Sequence, residues 1–392
     1  MGKPKIRFKG YEDDWEQRKV TDLGEIYIGL VTTMTEHYTD KGHLLIRNSD
    51  IKDGYFEFGE NPIYLDGEFS EQNKSRMHQL GDVITVHTGD IGTSAVIGEN
   101  EVNSIGFATI VTRPNQKILD SNYFATYLNT DTHKQWAISM ATGDGRSNYN
   151  LKDYTKLVVP IPQIEEQKKI ATCIGNLNNL ITLHQRKCEE TKSLKKYMLQ
   201  KMFPENGKCV PKIRFSGFSD AWEQRKLSEI TIETYGGGTP KTANEEFWKG
   251  DIPWIQSSDL VEECLFDVKP RKSISQEAVS KSATKLVPQN SIAIVTRVGV
   301  GKLAFMPFSY ATSQDFLSIS ELKTAPEFTV YALYRMMQLV SNEVQGTSIK
   351  GITKNELLAK KMLIPSRNEQ KKIGTYLHII DRLITLHQHK LF

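Results

Sequence analysis

Two segments of the chain carry apolar residues at the spacing of an amphipathic helix. Apolar side chains recur there at steps of four and three residues, first at Ile170, Ile174, Leu177 and Ile181 and again at Ile373, Leu377, Ile380 and Ile384. This spacing predicts a coiled-coil seam. Because a helix with such a stripe must bury it, we expect the two helices to pack together antiparallel, with these eight residues between them.

Both predicted helices follow a short extended segment that contains proline. Val158–Pro162 leads into the first helix and Pro365 precedes the second, and a residue before proline avoids helical angles. Ser366 and Glu369 then form the capping-box pattern that starts a helix. The first helix is predicted over residues 165–203, which is about 60 Å at 1.5 Å per residue.

The regions before the two helices alternate between strand and helix patterns. Runs of β-branched and aromatic residues predict strands at Val83–Val86, Ala108–Thr112, Ile292–Thr296 and Phe316–Ile319. Helical patches lie at Tyr123–Asn129 and Tyr331–Leu339. We therefore predict an α+β fold in which two mixed α/β globular domains, 1–162 and 211–365, are joined by two long coiled-coil helices, 163–210 and 366–392, related by a pseudo-two-fold axis.

The two halves of the chain are internal repeats. Residues 4–20, PKIRFKGYEDDWEQRKV, recur at 211–227 as PKIRFSGFSDAWEQRKL, and 166–187 recur at 369–390. The stretches between these tracts differ. A constant scaffold with varied interior loops indicates a protein that presents two specificities in one fixed geometry. A duplication kept only for stability is the alternative, but it does not explain why the ends stay alike while the middles drift.

Composition narrows the class of protein only modestly. The chain of 392 residues is 39% hydrophobic with a net charge of +3, which permits nucleic-acid binding without arguing for it. Four cysteines without C-x-x-C spacing predict reduced thiols rather than zinc ligands or disulfides. No apolar run is long enough to cross a membrane and the N-terminus lacks a signal core, so we expect a cytoplasmic protein.

Four motifs are typical of one family. They are the P-K-I-R-F-x-G-[YF] start of each half, the W-E-Q-R-K tract, the I-P-x-x-x-E-Q-x-x-I entry to each long helix and the Gly-Gly-Gly-Thr-Pro at 236–240. From Pro4 to Lys390 the chain resembles the specificity subunit of type I restriction-modification systems. One departure is that the second helix stops at Phe392, soon after the equivalent of Lys187, so the distal coil is expected to be asymmetric.

The resemblance implies a function and a set of partners. In that family each of two target-recognition domains reads one half of a split double-stranded DNA site through the major groove. The helices set the spacing and dock two adenine-methylating modification subunits, and motor-nuclease restriction subunits complete the complex. The chain would then be non-catalytic and bind no cofactor. S-adenosylmethionine would belong to the modification subunit, and ATP with Mg²⁺ to the restriction subunit.

Reading a base requires a side chain with forked or bidentate hydrogen-bonding geometry. Arg or Lys suits guanine, and Asn or Gln suits adenine. The candidates in the first domain are Arg47, Asn48, Ser49, Thr88, Asp90, Arg146, Ser147, Asn148 and Tyr149. In the second they are Gln256, Ser257, Ser258, Arg297, Lys302, Ser348 and Lys350, with Thr239 and Lys241 suited to phosphate contact. The alternative for each is a solvated loop residue. Asp50 and Asp259 are expected to brace their loops.

Three patterns that suggest an enzyme or a metal site are incomplete. Asn61–Tyr64 is one residue from the N-P-P-Y motif of adenine methyltransferases, but no glycine-rich loop for the methyl donor accompanies it. Gly299–Lys302 lacks phosphate-loop spacing, and His387 and His389 have no clustered third ligand. A self-sufficient DNA-modifying enzyme and a solitary specificity protein stay open as alternatives.

Overall fold

The computed structural model describes residues 4–141, 148–205, 207–345 and 351–389. The chain divides into two compact units, Met1–Leu180 and Ile181–Phe392. Each unit combines short strands with helices, which is the mixed α/β character predicted from the sequence. None of the helices within the described ranges is long and apolar enough to span a membrane.

The first unit is built mainly from short strands. These are β1 (Glu16–Lys19), β2 (Gly24–Ile28), β3 (Tyr38–Thr39), β4 (His43–Arg47), β5 (Tyr64–Leu65), β6 (Val83–Thr85), β7 (Ser94–Val96), β8 (Ile105–Phe107), β9 (Ile110–Pro114) and β10 (Val158–Ile161). The helices are α1 (Gly67–Gln72), α2 (Ser121–Leu128), α3 (Asp131–Met140), α4 (Leu151–Tyr154) and α5 (Ile164–Lys201), which continues into the second unit.

Strand pairing in the first unit gives two four-stranded sheets and a two-stranded ribbon. One sheet has the order β2-β9-β6-β7 and is antiparallel, and the other has the order β3-β5-β4-β8, with β4 and β8 parallel. The ribbon pairs β1 with β10, and Glu16 lies opposite Ile161. The ribbon therefore ties the first repeated tract to the segment that leads into α5.

The second unit repeats these elements with different lengths. Its strands are β11 (Glu223–Lys226), β12 (Thr231–Gly236), β13 (Ile252–Ile255), β14 (Lys272–Ile274), β15 (Ser291–Val295), β16 (Leu303–Met306), β17 (Ala311–Thr312), β18 (Phe316–Leu322) and β19 (Lys361–Ile364). Its helices, besides the end of α5, are α6 (Leu227–Ile230), α7 (Gln276–Lys281), α8 (Pro326–Gln345), α9 (Lys354–Ala359) and α10 (Arg367–His389).

The sheets of the second unit follow the strand order of the first, except that the described residues hold no strand equivalent to β3. One is β12-β18-β15-β16, another is β14-β13-β17 with β13 and β17 parallel, and β11 pairs with β19. The parallel pair β13–β17 thus corresponds to β4–β8. The internal repeat seen in the sequence is therefore a repeat of fold, including the regions where the two sequences differ.

A buried glutamine explains part of the repeated E-Q-K-K-I tract. Gln167 accepts a hydrogen bond from the Asp120 backbone N–H at 2.9 Å and donates to the Pro162 carbonyl at 2.8 Å. Gln370 makes the same bonds to Ala325 and Pro365, both at 2.8 Å. A buried polar group must be satisfied, and here it locks the start of each long helix to its own domain.

Both long helices form close to their predicted bounds, α5 at Ile164–Lys201 and α10 at Arg367–His389. Within the second unit, His184 of α5 contacts His387 of α10, and Lys195 further along α5 contacts Asp381 earlier in α10. The order of these contacts means that the two helices run antiparallel there, as predicted.

The apolar stripe of α10 serves the core of its own unit. Ile373, Leu377 and Ile380 are buried in a cluster with Phe203 and Phe328. Ile384 packs half-buried against the same cluster.

The stripe of α5 is much less covered. Ile170 and Ile174 are half-buried, whereas Leu177 is 50% exposed and Ile181 is 39% exposed. Leu177 and Ile181 are thus less covered than the buried seam expected from their spacing. The residues packed against the α10 stripe come instead from the end of α5, including Leu199, and from α8.

One strand begins later than its sequence pattern predicts. The apolar run Ala108–Thr112 predicts a strand, but β9 starts at Ile110 and extends to Pro114. Ala108 has a φ of 49°, in the left-handed region where an extended strand cannot continue. The chain therefore turns between β8 and β9 before it enters the next sheet.

Candidate nucleic-acid interface

In the first unit a short polar turn follows the end of β4. The Asp50 carboxylate accepts hydrogen bonds from the Arg47 backbone N–H at 2.9 Å and from its guanidinium Nε and Nη2 at 3.0 and 2.9 Å. Asp50 is buried and the Arg47 side chain is half-exposed. Asp50 thus braces the turn, as expected from the sequence. Its hydrogen bonds also raise the pKa of Arg47 above its ordinary value. Arg47 therefore presents a fixed positive charge at the surface.

Asn48, the next residue, has its amide fully engaged by neighbouring backbone. Its Oδ1 accepts from the His87 N–H at 2.8 Å, and its Nδ2 lies 3.4 and 3.3 Å from the carbonyls of Phe107 and Ala108. A base edge would have to displace these bonds to be read by Asn48. Its geometry favours a bracing role that fixes three loop segments together.

The turn after β6 meets the late loop of the first unit. Thr88 Oγ1 donates to Asn148 Oδ1 at 2.7 Å, and His87 Nδ1 lies 2.7 Å from the same hydroxyl. Burial lowers the pKa of His87, which favours the neutral ring in this cluster. Three stretches far apart in the sequence, around residues 48, 88 and 148, are thus brought to one place.

Tyr149 is in the core and not at the surface. Its side chain is fully buried against Trp136 and Tyr154, and its hydroxyl lies 3.4 Å from Nε2 of His133. The expectation that Tyr149 contacts DNA is therefore corrected: its ring anchors the loop whose Asn148 meets Thr88. The neighbouring candidates Arg146 and Ser147 lie outside the described residues.

Two further candidates of the first unit lie in solvent. Ser49 is exposed within the turn after β4, and its hydroxyl lies 3.3 Å from Asp50 Oδ1. Asp90 is exposed, and one carboxylate oxygen accepts from Thr93 Oγ1 at 2.7 Å. Both therefore sit where a duplex could reach them, although Asp90 carries the charge that a phosphate repels.

The second unit builds the same turn with different side chains. The buried Asp259 carboxylate accepts from the Gln256 backbone N–H at 3.0 Å, which matches the Asp50 brace. Gln256 stands where the first unit has Arg47. The remaining Asp259 oxygen lies 3.5 Å from Nε of the exposed Arg271. The Arg47 guanidinium donates to Asp50, whereas in the second unit only the backbone N–H of Gln256 donates to Asp259. The Gln256 side chain therefore differs from that of Arg47 in making no hydrogen bond to the aspartate carboxylate.

The glycine turn after β15 reaches the same edge of the second unit. Gly299, with a φ of 91°, would place a Cβ 3.8 Å from that of Ser257, so the turn lies beside the end of β13. Arg297 is exposed and makes no side-chain hydrogen bond or ion pair within the described ranges. Lys302 instead donates to the Leu260 carbonyl at 3.0 Å, which makes it a brace between turn and strand end.

The glycine run is held by close packing. A Cβ on Gly237 would lie 1.8 Å from the Ser313 carbonyl oxygen, so glycine is required by the approach of two backbones. The exposed Thr239 donates to Gln314 Oε1 at 2.6 Å, and the Ser313 N–H donates to the Ile255 carbonyl. The run therefore places Thr239 near the end of β13.

The other candidates divide between solvent and the undescribed segments. Ser258 and Lys241 are exposed and Ser257 is half-buried. Ser348 and Lys350 lie outside the described residues.

Sequence reasoning missed two side chains in this cluster. Gln314 is exposed beside Thr239, and its signal was a polar break, Ser-Gln-Asp, directly before an apolar run. Val298 is 71% exposed next to Arg297, and its signal was an apolar residue inside a glycine turn. An amide fork suits adenine, and an exposed apolar side chain suits a thymine methyl.

The exposed side chains of the two clusters are polar, cationic or apolar groups suited to contacts with bases and phosphates. Over the described ranges, no three His, Cys, Asp or Glu side chains are grouped so as to hold a metal ion. Asn61 is exposed at the approach to β5. His387 contacts His184 at 3.3 Å between their Nδ1 atoms. All four cysteines are free.

Comparison with known proteins identifies the family. The type I restriction modification DNA specificity domain matches this chain twice, over residues 12–193 and 219–391. The chain belongs to this family. The first specificity-domain match contains the Arg47–Asp50 turn and the second contains the Gln256–Asp259 turn, so each match carries one of the two clusters. Membership assigns DNA sequence recognition to the chain.

Relatives and solved structures of the family agree with this assignment. A putative type I restriction enzyme MjaX specificity subunit of Methanocaldococcus jannaschii is 24% identical over 386 residues, covering 95% of this chain and 88% of the relative. The EcoR124I/EcoR124II specificity subunit of Escherichia coli is 33% identical over 175 residues, or 42% of this chain and 41% of the relative. A type I S subunit from M. genitalium has a TM-score of 0.64 at 13% identity, covering 99% of this chain and 94% of that one. This last likeness shows a shared fold.

Proposed function

We propose that this chain gives a type I restriction-modification complex its sequence specificity, and that each unit reads one half of a bipartite double-stranded site through the major groove. The observation that carries the proposal is one scaffold presented twice with different side chains at equivalent positions. Arg47 in the first unit corresponds to Gln256 in the second, and Thr88 corresponds to Arg297. Two scaffolds of one fold with unlike side chains suit two unlike half-sites.

The free side chains have the chemistry for base readout. In the second unit, Gln256 offers an amide fork for adenine, Arg297 offers a guanidinium fork for guanine and Val298 offers a methyl contact. The amide oxygen of Gln314 accepts from Thr239, which leaves its amide nitrogen to donate. In the first unit, the exposed face of Arg47 and the hydroxyl of Ser49 are the best placed. Thr239 and Lys241 would hold phosphates and set the register without reading sequence.

The long helices are proposed to fix the distance between the half-sites. Sites read from one face of a duplex lie about 34–36 Å apart, or a multiple of that. The 38 residues of α5 (Ile164–Lys201) span about 57 Å at 1.5 Å per residue, which is long enough to set such a spacing. Changing its length should therefore change the gap in the DNA target and leave the two half-site sequences as they are.

Catalysis and cofactors are assigned to partner subunits. We propose that the chain is non-catalytic, that two modification subunits bring S-adenosylmethionine, and that restriction subunits bring ATP and Mg²⁺. The complex would work on DNA in the cytoplasm. The sequence has no glycine-rich methyl-donor loop to accompany Asn61, which supports the proposal that methyl transfer is carried out by the modification subunits.

The test is to map methylated adenines in DNA from cells that carry this chain with its modification subunits. The expected result is methylation at one two-part motif with a fixed gap, and none when the chain is omitted. The chain alone should neither bind S-adenosylmethionine tightly nor methylate DNA. Donor binding or methylation by the isolated chain would instead favour a self-sufficient enzyme, and activity without a modification subunit would overturn the scaffold role.

A further inference from the structure

Two histidines face each other across the antiparallel helix pair of the second unit. The Nδ1 atoms of His184 on α5 and His387 on α10 are 3.3 Å apart, and their rings are tilted by 36° with centroids 5.5 Å apart. Both side chains are half-buried, so water and small ions reach them. The two nitrogens lie at one point between two rigid elements.

The pair arises from the internal repeat. His184 lies in the tract at 166–187 and His387 occupies the equivalent position of the tract at 369–390, in L-I-T-L-H-Q in both. One repeated sequence thus supplies both halves of the pair. His184 and His387 both continue the stripes of their helices at the expected four- and three-residue steps. As a metal ligand, His387 was considered only with His389, whereas the structure places His184 of α5 beside it.

The distance between the nitrogens suits a shared metal ion. Zinc binds imidazole nitrogen at about 2.0–2.1 Å with tetrahedral geometry, which places two ligating nitrogens about 3.3–3.4 Å apart. We propose that His184 and His387 form a two-histidine site for a divalent transition ion such as Zn²⁺, which binds both Nδ1 atoms and links α5 to α10. Water completes the coordination, since no group of three ligating residues occurs in the part of the chain that the structure describes.

A neighbouring ion pair holds the helices in the register that the site needs. Lys195 Nζ lies 2.5 Å from Asp381 Oδ1, and the Tyr331 hydroxyl donates to Asp381 Oδ2 at 2.6 Å. These contacts are largely buried, so they fix the pairing of α5 with α10 independently of the histidines. A metal ion therefore meets two ligands already in place, and it binds when both rings are neutral.

Cys188 provides an internal comparison for the site. It lies one turn beyond His184 on α5 and is buried, so a thiolate there is the obvious rival zinc ligand. The proposed site uses imidazole alone and predicts that Cys188→Ser binds metal as the wild type does.

The test uses the full chain, stripped with a chelator and titrated with Zn²⁺ in equilibrium dialysis. Wild type, Cys188→Ser and His43→Ala should bind one more ion per chain than His184→Ala, His387→Ala or the double variant. Zinc should also raise the thermal unfolding midpoint in the first group only, and the chelator should reverse the rise.

Circular dichroism without metal checks that each variant is folded, and His184→Gln and His387→Gln replace any alanine variant that is not. Equal zinc binding and equal midpoint shifts in wild type and histidine variants would overturn the proposal. Loss of the extra ion in Cys188→Ser alone would overturn it equally, because the ligand would then be the thiolate.

Discussion

The guanidinium of Arg7 grips the carboxylate of Glu166 through two hydrogen bonds, 2.7 Å from Nε and 2.8 Å from Nη2. Arg214 and Glu369 repeat the pair in the second unit at the same two distances. Each arginine lies in the repeated P-K-I-R-F tract and each glutamate in the repeated E-Q-K-K-I tract. The two tracts thus recur together because the arginine of one tract binds the glutamate of the other. In each unit this pair fastens the start of the globular domain to the start of the long helix.

Removing Arg214 should destabilise the second unit strongly. Glu369 is fully buried, and Arg214→Ala would leave its charge unpaired, at a cost of about 3–5 kcal/mol. Chemical denaturation of the full chain measures the loss. Arg225→Ala is the matched control, because its pair with Glu223 is exposed and should contribute little. Similar losses in both variants would mean that the buried pair does not hold the unit together.

Replacing Gln256 by alanine should weaken DNA binding by about 1–3 kcal/mol if it reads a base. Arg297→Ala should have a comparable effect, since its guanidinium has no protein partner within the described ranges. Both variants should keep the stability of the wild type. The measurement is the affinity of the chain with its modification subunits for cognate duplex DNA. Lys249→Ala serves as the control, because Lys249 is an exposed cationic side chain that pairs with Glu246. Unchanged affinity and preference would remove that residue from the interface.

Asn48→Ala should act on stability and leave sequence preference intact. The substitution removes the acceptor of the half-buried His87 N–H, and a lost hydrogen bond of this kind costs about 1 kcal/mol. The neighbouring Ser49→Ala should leave stability unchanged because Ser49 is exposed. Thermal unfolding combined with a base-by-base binding profile separates the two effects. A relaxed preference at one base pair in Asn48→Ala would show that its amide reads DNA after all.

The first unit should lose stability in mild acid. Burial lowers the pKa of His133 to about 4 and that of His78 to about 3, against about 6.5 in an unfolded chain. Above pH 6.5 both states are neutral and pH has no effect through these groups. Below it the unfolded state takes up protons first, so stability falls by about 1.4 kcal/mol per pH unit for each histidine until its folded pKa is reached.

The measurement is the free energy of unfolding between pH 7 and 4. His133→Gln should flatten the dependence of this free energy on pH, whereas the control His43→Gln, at a half-buried position, should follow the wild type. A wild-type stability that holds constant down to pH 4 would contradict the burial of these rings.

The helices could be predicted from the sequence because their signals are local. A stripe with four- and three-residue steps and a proline at the entry place α5 and α10 within a few residues of their observed ends. What buries the stripes is not local. The apolar face of α10 packs against the core around Phe203 and Phe328. The spacing of residues within α10 does not reveal which part of the chain will cover that face.

Part of the grouping of the candidate residues could be predicted from the sequence, but not the contacts of each side chain. The polar breaks at Arg47 and Gln256 do mark the ends of equivalent strands, and the turn at Thr88 does meet Asn148. Which side chain braces and which stays available depends on hydrogen bonds across loops, as Asn48 and Lys302 illustrate. Tyr149 was misplaced because an aromatic residue in a polar stretch carries no mark of the pocket that buries it.

Selection from random duplex DNA tests most directly whether the two units read separate half-sites. The selection uses the chain with its modification subunits and compares wild type with Gln256→Ala. If each unit reads one half-site, wild type selects two short specified segments separated by a gap of fixed length without base preference. Gln256→Ala then relaxes one segment while the other segment and the gap stay the same. A single continuous motif, or relaxation of both segments together, would contradict this assignment of one half-site to each unit.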